Sequence, residues 1–186
     1  MFESVRSFGG DRATAETNTV IEFPRVNTTP LVENYAEHSL QEDFDVAEIL
    51  FLASVEGNLP IGHHIYLVDF ASLRNPGVNE EEYLRLDDPA HREAKSSPGF
   101  LLYFRGDGYS QGFCRSFCAW RSIQEAIDAA GLPKHKQAED SAEYLYSWFK
   151  VTMREAWLVV TDEGLDYEFG PEHTRSHGEY ERPLAV

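Results

Sequence analysis

The order of apolar runs and helix caps between residues 64 and 161 constrains the fold of this chain most strongly. Residues 64–70, 100–105 and 113–121 are rich in β-forming side chains and predict three strands, and a fourth strand is predicted at 154–161. Helical segments are predicted after the first and the third of these strands, each introduced by a capping residue. The sequence therefore predicts the order β-α-β-β-α-β over the middle of the chain.

Helix caps and helix breakers set the bounds of the predicted helices. Asn79 caps the first, which is expected to break at Asp88-Pro89 because Asp is a good N-cap and Pro suits the first helical position. Ser122 caps the second, which is expected to break at Gly131, to resume near 134 and to run to about 151. One apolar stripe is expected along it, formed by Tyr144, Leu145, Trp148 and Phe149.

The element order predicts an α+β fold, since β-α-β-β-α-β is the ferredoxin-like arrangement. Pro89–Ala94 and Pro133–Ala138 both read P-x-H-x-x-A, which either reflects the pseudo-twofold of that fold or is a chance match. Residues 1–63 are interpreted as an N-terminal extension with one helix, introduced by the capping box Ser39–Glu42 and ended by Gly57. Residues 162–186 are interpreted as a hairpin strand followed by a polar tail.

Charge and composition exclude several classes of protein. The chain has 32 acidic and 16 basic residues, and the formal charge of −16 divides into −8 for residues 1–63, −3 for 64–161 and −5 for 162–186. Such an acidic chain is a poor partner for nucleic acid or for an anionic membrane surface. No apolar run reaches the roughly 18 residues of a membrane-spanning helix, and no signal peptide is visible. Cys114 and Cys118 stand too far apart on one strand for a disulfide, so a cytoplasmic location is expected.

Three motifs then suggest a family. Ser96–Phe100 precedes the second strand, Phe117–Ser122 ends the third with Trp120, and a Pro-x-His segment begins at Pro133. Together with the element order they resemble the dimeric α/β-barrel superfamily, and within it the antibiotic biosynthesis monooxygenase-type domains. The resemblance implies a homodimer that pairs sheet against sheet, with an apolar pocket between each sheet and its helices. It implies no single activity, because members oxidise aromatic polyketides without a cofactor, degrade haem or have no assigned activity.

His135 and Arg115 are the candidate catalytic residues. His135 matches the histidine of the resemblance and could move a proton near neutral pH, or it could simply stand where a helix begins at the pocket rim. Arg115 lies on a strand that is expected to be buried on both faces, so it needs an anionic partner. That partner is either a structural Asp or Glu, or an acidic or phenolate substrate that Tyr103 and Arg105 on the next strand would also recognise.

The remaining candidates are ligand-binding residues. Trp120 is interpreted either as a core aromatic residue or as a wall of the pocket. Tyr144 or Tyr146 could direct its hydroxyl into the pocket, but only one of them can share the apolar stripe with Trp148. His91 occupies in the first half the place that His135 has in the second. No metal site is predicted, because adjacent His63 and His64 would point oppositely from a strand.

The sequence therefore predicts a small-molecule enzyme of the monooxygenase-like dimeric α/β-barrel class that acts on an aromatic or polyketide-like substrate without metal. A non-catalytic ligand-binding or assembly protein on the same fold is the alternative, which leaves catalysis itself open. A haem-binding or haem-degrading protein stands third, since the strand expected at 64–70 lacks the Asn of the haem degraders. A small molecule and a second copy of the chain are the expected partners, and no cofactor is expected unless haem binds.

Overall fold

One antiparallel sheet organises the part of the chain that the structure describes. The structure is a computed structural model, and it describes residues 30–178 apart from 32–34, 36 and 107–111. The strands are β1 (Ile65–Arg74), β2 (Phe100–Arg105), β3 (Phe113–Trp120), β4 (Tyr146–Thr161), β5 (Gly164–Phe169) and β6 (His173–His177). Their order in the sheet is β2-β3-β1-β4-β5, and β6 also pairs with β4. The first four strands therefore have the ferredoxin-like order, which confirms the predicted fold class.

Helices cover both faces of this sheet. The helices are α1 (Leu40–Asp43), α2 (Val46–Gly57), α3 (Glu80–Lys95), α4 (Ile123–Ala130), α5 (Pro133–Asp140) and α6 (Ala142–Leu145). On one face, α3 and α4 pack over Tyr66 and Trp120. On the other face, α1 and α2 pack over Leu67 and Ala119, which alternate with the first pair along β1 and β3. None of the helices described is long and apolar enough to cross a membrane.

The N-terminal extension supplies a large part of the apolar core. Leu40, Phe44, Ile49 and Leu50 are each at most 1% exposed and pack against the sheet. The Phe44 ring meets the Phe117 ring edge-on at 5.2 Å. Burial of this extent means that α1 and α2 belong to the same hydrophobic core as the sheet.

The described residues of the extension form two helices where one was predicted. Ser39 and Glu42 form the predicted capping box at the start of α1. The backbone of Phe44 is extended, and the Asp45 carboxylate accepts the Glu48 N–H at 3.0 Å and so begins α2 as a second N-cap. The turn between the two helices places the Phe44 ring in the core, and α2 ends at Gly57 as predicted.

The predicted break at Asp88-Pro89 is wrong, because α3 continues through Pro89. A proline inside a helix removes one backbone hydrogen bond. The Asp88 carboxylate is engaged by Arg105 at 2.7 Å and does not cap a helix. Buried contacts of Ala90 and Ala94 hold the second half of α3 against the sheet face.

The predicted helix to about 151 is also wrong, because α6 ends at Leu145 and β4 begins at Tyr146. The register between β1 and β4 shifts at Leu73/Arg74, so that Leu73 pairs with Trp148 and Arg74 with Tyr146. This β-bulge places Tyr146 and Phe149 on the same face although they are three residues apart. Their spacing is therefore that of a helix, while their backbone is that of a strand.

The predicted polar tail includes a further strand. The predicted hairpin strand is present as β5, and β6 follows it and pairs with β4 from Phe149 to Met153. A strand of five mostly exposed residues gives little apolar alternation, which is why the sequence did not indicate it.

Candidate functional site

A cavity of about 330 Å³ lies between the sheet and helices α3–α6. Its volume is at the lower end of the range for small-molecule sites. Eight Phe, Tyr and Trp residues contribute to its walls: Tyr66, Phe70, Phe100, Tyr103, Phe117, Trp120, Tyr146 and Phe149. The cavity therefore favours a flat, largely apolar molecule.

His91 and Tyr103 form one polar pair in this cavity, whose lining also includes Asp87, Lys95, Ser116, His135, Glu139 and Arg175. His91 lies on α3 and Tyr103 on β2, and both line the cavity. The Tyr103 hydroxyl is 3.2 Å from Nδ1 of His91, and the two rings are 4.2 Å apart. Burial, followed by the nearby Asp87 carboxylate, raises the pKa of Tyr103 well above its usual value. Tyr103 therefore stays a neutral hydroxyl at neutral pH.

Behind His91, Asp87 and Arg105 form an ion pair. Asp87 lies one helical turn before His91, and its carboxylate is 3.0 Å from His91 Nδ1. Nη1 of Arg105 is 3.1 Å from Asp87 and 2.7 Å from Asp88. Arg105 is thus placed behind the cavity wall, where it holds Asp87 and is itself not part of the lining.

His135 also lines the cavity, from the first turn of α5. The Glu93 carboxylate accepts the backbone N–H groups of Lys134 and His135 at 2.7 and 3.0 Å, which fixes the start of the helix. Nδ1 of His135 is buried and has no aligned hydrogen-bond partner among the described residues. The backbone of Ala130 lies near the ring and by itself raises the pKa of His135. Burial and then the proximity of His91 lower the pKa of His135, so its ring is neutral at pH 7.

Trp120 is both a core residue and a wall of the cavity, so its two interpretations describe the same position. It is 3% exposed, packs edge-on against Phe100 and lines the cavity. Its indole N–H donates to Cys118 Sγ at 3.0 Å. Burial raises the pKa of Cys118 to about 12, so this sulfur is a thiol.

Arg115 lies on the opposite face of the sheet from the cavity. Its guanidinium pairs with Asp43 at the end of α1 and donates to the His38 carbonyl at 2.9 Å. Nε is 3.0 Å from Asp69 Oδ1 without the alignment of a hydrogen bond. The sequence left two kinds of partner open for Arg115, a structural acid or an acidic substrate. The structure shows the structural acids, Asp43 and Asp69. This ion cluster joins the extension to the sheet.

The Arg115 cluster predicts an unusual pH dependence. Burial raises the pKa of Asp69 to about 6, and Arg115 only partly opposes it. A raised carboxyl pKa in the folded state stabilises the fold below the unfolded value of about 4, and that stability is lost as pH rises through about 6.

We expect Asp69→Asn to remove a cost on the order of 3 kcal/mol at pH 8. Urea unfolding of both proteins should show the variant gaining stability relative to the wild type from about pH 4 to about pH 7, with little further change at higher pH. A difference that does not change with pH would contradict this.

Tyr144 does not reach the cavity. Its side chain is exposed, and its hydroxyl donates to the Glu82 carboxylate at 2.7 Å on the outside of the molecule. The predicted stripe of Tyr144 with Phe149 required a helix, and the bulge in β4 brings Tyr146 to the cavity instead. Asp87 is a site residue that the sequence did not single out, although its i,i+4 spacing to His91 was visible.

The cavity can be compared with the needs of two kinds of cofactor, a metal ion and haem. Within the described ranges, no three His, Cys, Asp or Glu side chains cluster closely enough to hold a metal ion. A cavity of about 330 Å³ is small for a group of the size of haem. No step is therefore assigned to haem.

Comparisons with known proteins give a family and several structural neighbours. The family model described as PB2B2.08-like matches residues 12–170, which includes part of the extension as well as the sheet. No curated protein matches the sequence. Structural neighbours include a Caulobacter crescentus protein provisionally classed as an antibiotic biosynthesis monooxygenase (12% identity, 65% of this chain, 94% of that chain, TM-score 0.42). Rv0793 from Mycobacterium tuberculosis has 12% identity over 63% and 97% of the two chains, with a TM-score of 0.41.

A third neighbour is SnoaB, a cofactor-independent oxygenase from Streptomyces nogalater, with 7% identity, 66% and 99% coverage and a TM-score of 0.38. Antibiotic biosynthesis monooxygenase-like proteins are thus among the neighbours, as the sequence resemblance predicted.

Proposed function

The chain belongs to the PB2B2.08-like family, and we propose that it is a small-molecule enzyme. It takes an aromatic or polyketide-like substrate into the cavity between the sheet and α3–α6 and acts on it without metal. One observation carries the proposal. An open cavity with aromatic walls brings together the side chains of His91, Tyr103 and His135. Convergent polar groups in a concave apolar site are the usual arrangement of a small-molecule active site.

The proposed reaction is a cofactor-independent oxidation of the monooxygenase type. Such a reaction begins with loss of a proton from the substrate, because the anion passes an electron to O₂ far more readily than the neutral molecule. A histidine of the cavity would accept that proton near neutral pH. Trp120 forms a flat wall against which an aromatic substrate can lie. Arg115, on the other face of the sheet, has no part in this step.

A homodimer is expected from the sequence resemblance and stays a prediction. A sheet-to-sheet pair would use the face that α1 and α2 cover in this chain. Two copies would therefore have to meet through another surface.

The site can be tested by filling it. Ala130 on α4 lines the cavity and is half-buried, whereas Gln124 on the same helix is exposed and outside the lining. Ala130→Phe should weaken the binding of p-nitrophenol at least about tenfold, since the new ring occupies the space of the probe. Gln124→Phe should bind as the wild type does. Equilibrium dialysis measures both, and equal binding by the two variants, or no binding by the wild type, would exclude this cavity as the site.

Catalysis needs a second measurement. Dioxygen uptake with anthrone, corrected for its reaction without protein, should be faster with the wild type than with Ala130→Phe. Binding of anthrone without any added uptake would favour the alternative of a ligand-binding protein on the same fold.

A further inference from the structure

We propose that His91, held by Asp87 with its proton on Nδ1, and not His135, is the group that accepts the substrate's proton. This inference rests on the proposed function and assigns the base within the same cavity. The two histidines come from corresponding P-x-H-x-x-A segments and both line the cavity, yet their surroundings differ. Environments that separate two titratable groups in this way identify their roles.

The position of Nδ1 determines where the proton of neutral His91 lies. Nδ1 is 3.0 Å from the Asp87 carboxylate, an ion-pair distance without the alignment of a hydrogen bond, and it is hydrogen-bonded to the Tyr103 hydroxyl at 3.2 Å. A lone pair on Nδ1 would face the negative carboxylate at this distance, whereas an N–H is attracted to it. Neutral His91 is therefore the Nδ1–H tautomer, and Tyr103 accepts from it.

This tautomer leaves Nε2 as the basic nitrogen. Among the described residues, Nε2 of His91 has no hydrogen-bond partner, while its ring lines the cavity. In the proposed step an O–H or C–H bond of the substrate breaks, its electron pair stays on the substrate, and Nε2 gains the proton. The imidazolium that forms is stabilised by the Asp87 carboxylate beside Nδ1. The Tyr103 hydroxyl proton is then free to donate to the substrate anion.

His135 lacks this support. None of its ring contacts within the described part of the chain is an ion pair, and its Nδ1 is buried without a partner. The nearest acidic groups are engaged elsewhere: Glu93 caps the backbone of α5, and Glu139 pairs with Arg175. Burial outweighs the charges of Glu139 and Glu93 and lowers the pKa of His135, so its ring resists a positive charge and acts as a neutral hydrogen-bonding group.

Arg105 is a positioning residue for the same step. Its Nη1 is 3.1 Å from the Asp87 carboxylate, and this contact orients the carboxylate that faces His91. It also contacts Asp88, which makes no contact with His91 and does not line the cavity. Asp87 and Asp88 are therefore a matched pair, since removing either one takes a carboxylate from Arg105 but only Asp87 supports His91.

The test compares Asp87→Ala with Asp88→Ala. Nitrogen-15 chemical shifts of the His91 ring in the free protein should show the Nδ1–H tautomer in the wild type and in Asp88→Ala, and a shift toward Nε2–H in Asp87→Ala. The second measurement uses p-nitrophenol, whose anion is yellow, at a pH below its own pKa in water. Bound to the wild type and to Asp88→Ala, it should ionise, and the ratio of anion to neutral form should fall at least about tenfold in Asp87→Ala. Lys95, which lies near the Tyr103 ring, is present in all three proteins and cannot account for that difference.

The outcomes separate the two levels of the argument. Binding of the probe without ionisation in the wild type, or equal ionisation in both variants, would overturn the assignment of His91 and leave the cavity as a binding site. Failure of the wild type to bind the probe would overturn the proposed function. In that case the tautomer in the free protein still decides whether Asp87 holds His91 as described, and an Nε2–H ring would overturn it.

Discussion

Replacing Arg115 by methionine is expected to lower the free energy of unfolding by about 3–5 kcal/mol, the cost of leaving a buried charge without its partner. Arg115 is 2% exposed, and its single positive charge faces the carboxylates of Asp43 and Asp69. Methionine keeps much of the volume but takes from both buried acids the guanidinium that faces them, while Asp43 keeps its contact with His38 at 3.1 Å. Urea unfolding followed by circular dichroism measures the loss.

Two variants make this prediction specific to the buried cluster. Arg105→Met removes a half-exposed arginine that also pairs with two aspartates, and should cost about 1 kcal/mol or less. Combining Arg115→Met with Asp43→Asn and Asp69→Asn removes the charges together and should restore most of the stability. A cost for Arg115→Met as small as that for Arg105→Met would show that the cluster is not needed to hold the extension on the sheet.

Truncating Phe44 to alanine is expected to destabilise the protein by about 3–5 kcal/mol. Phe44 is 1% exposed and packs edge-on against Phe104 at 4.9 Å and against Phe117 at 5.2 Å. Removing the ring loses its apolar burial and leaves a cavity between α1, α2 and the sheet. A single cooperative unfolding transition with a lower midpoint should be seen, because the extension and the sheet share one core.

Phe51 on α2 is the matched control, since it belongs to the same extension but is 44% exposed. Phe51→Ala should cost about 1 kcal/mol or less. Similar effects of the two truncations, or a separate early transition that removes only helix signal, would mean that the extension folds apart from the sheet.

The order of elements was predictable because each one is marked locally. Asn79 and Ser122 cap their helices as predicted, and the strands of the middle region carry β-forming residues. The start of β4 was not predictable, because the bulge spaces Tyr146 and Phe149 as a helix would. Whether residues 146–149 form a helix or a strand is decided only by their pairing with β1, which is distant in sequence.

The candidate site was predictable in part for a related reason. His91, Tyr103, Trp120 and His135 all line the cavity. Arg115 was expected to need an anion, but nothing local to β3 shows that Asp43 supplies it from 72 residues away. Pairings of this kind depend on which face of the sheet the extension covers, and that is a property of the tertiary fold.

The covering of both faces by one chain also determines how the backbone can meet another molecule. With its faces occupied, the sheet can be extended only along its borders, where β2 ends one side and β5 and β6 form the other. Asp166 and Glu168 on β5 would repel a second copy of that strand. The sequence of β2 contains no acidic residue, so a further strand would meet less repulsion there, beside Tyr103 and the wall of the cavity.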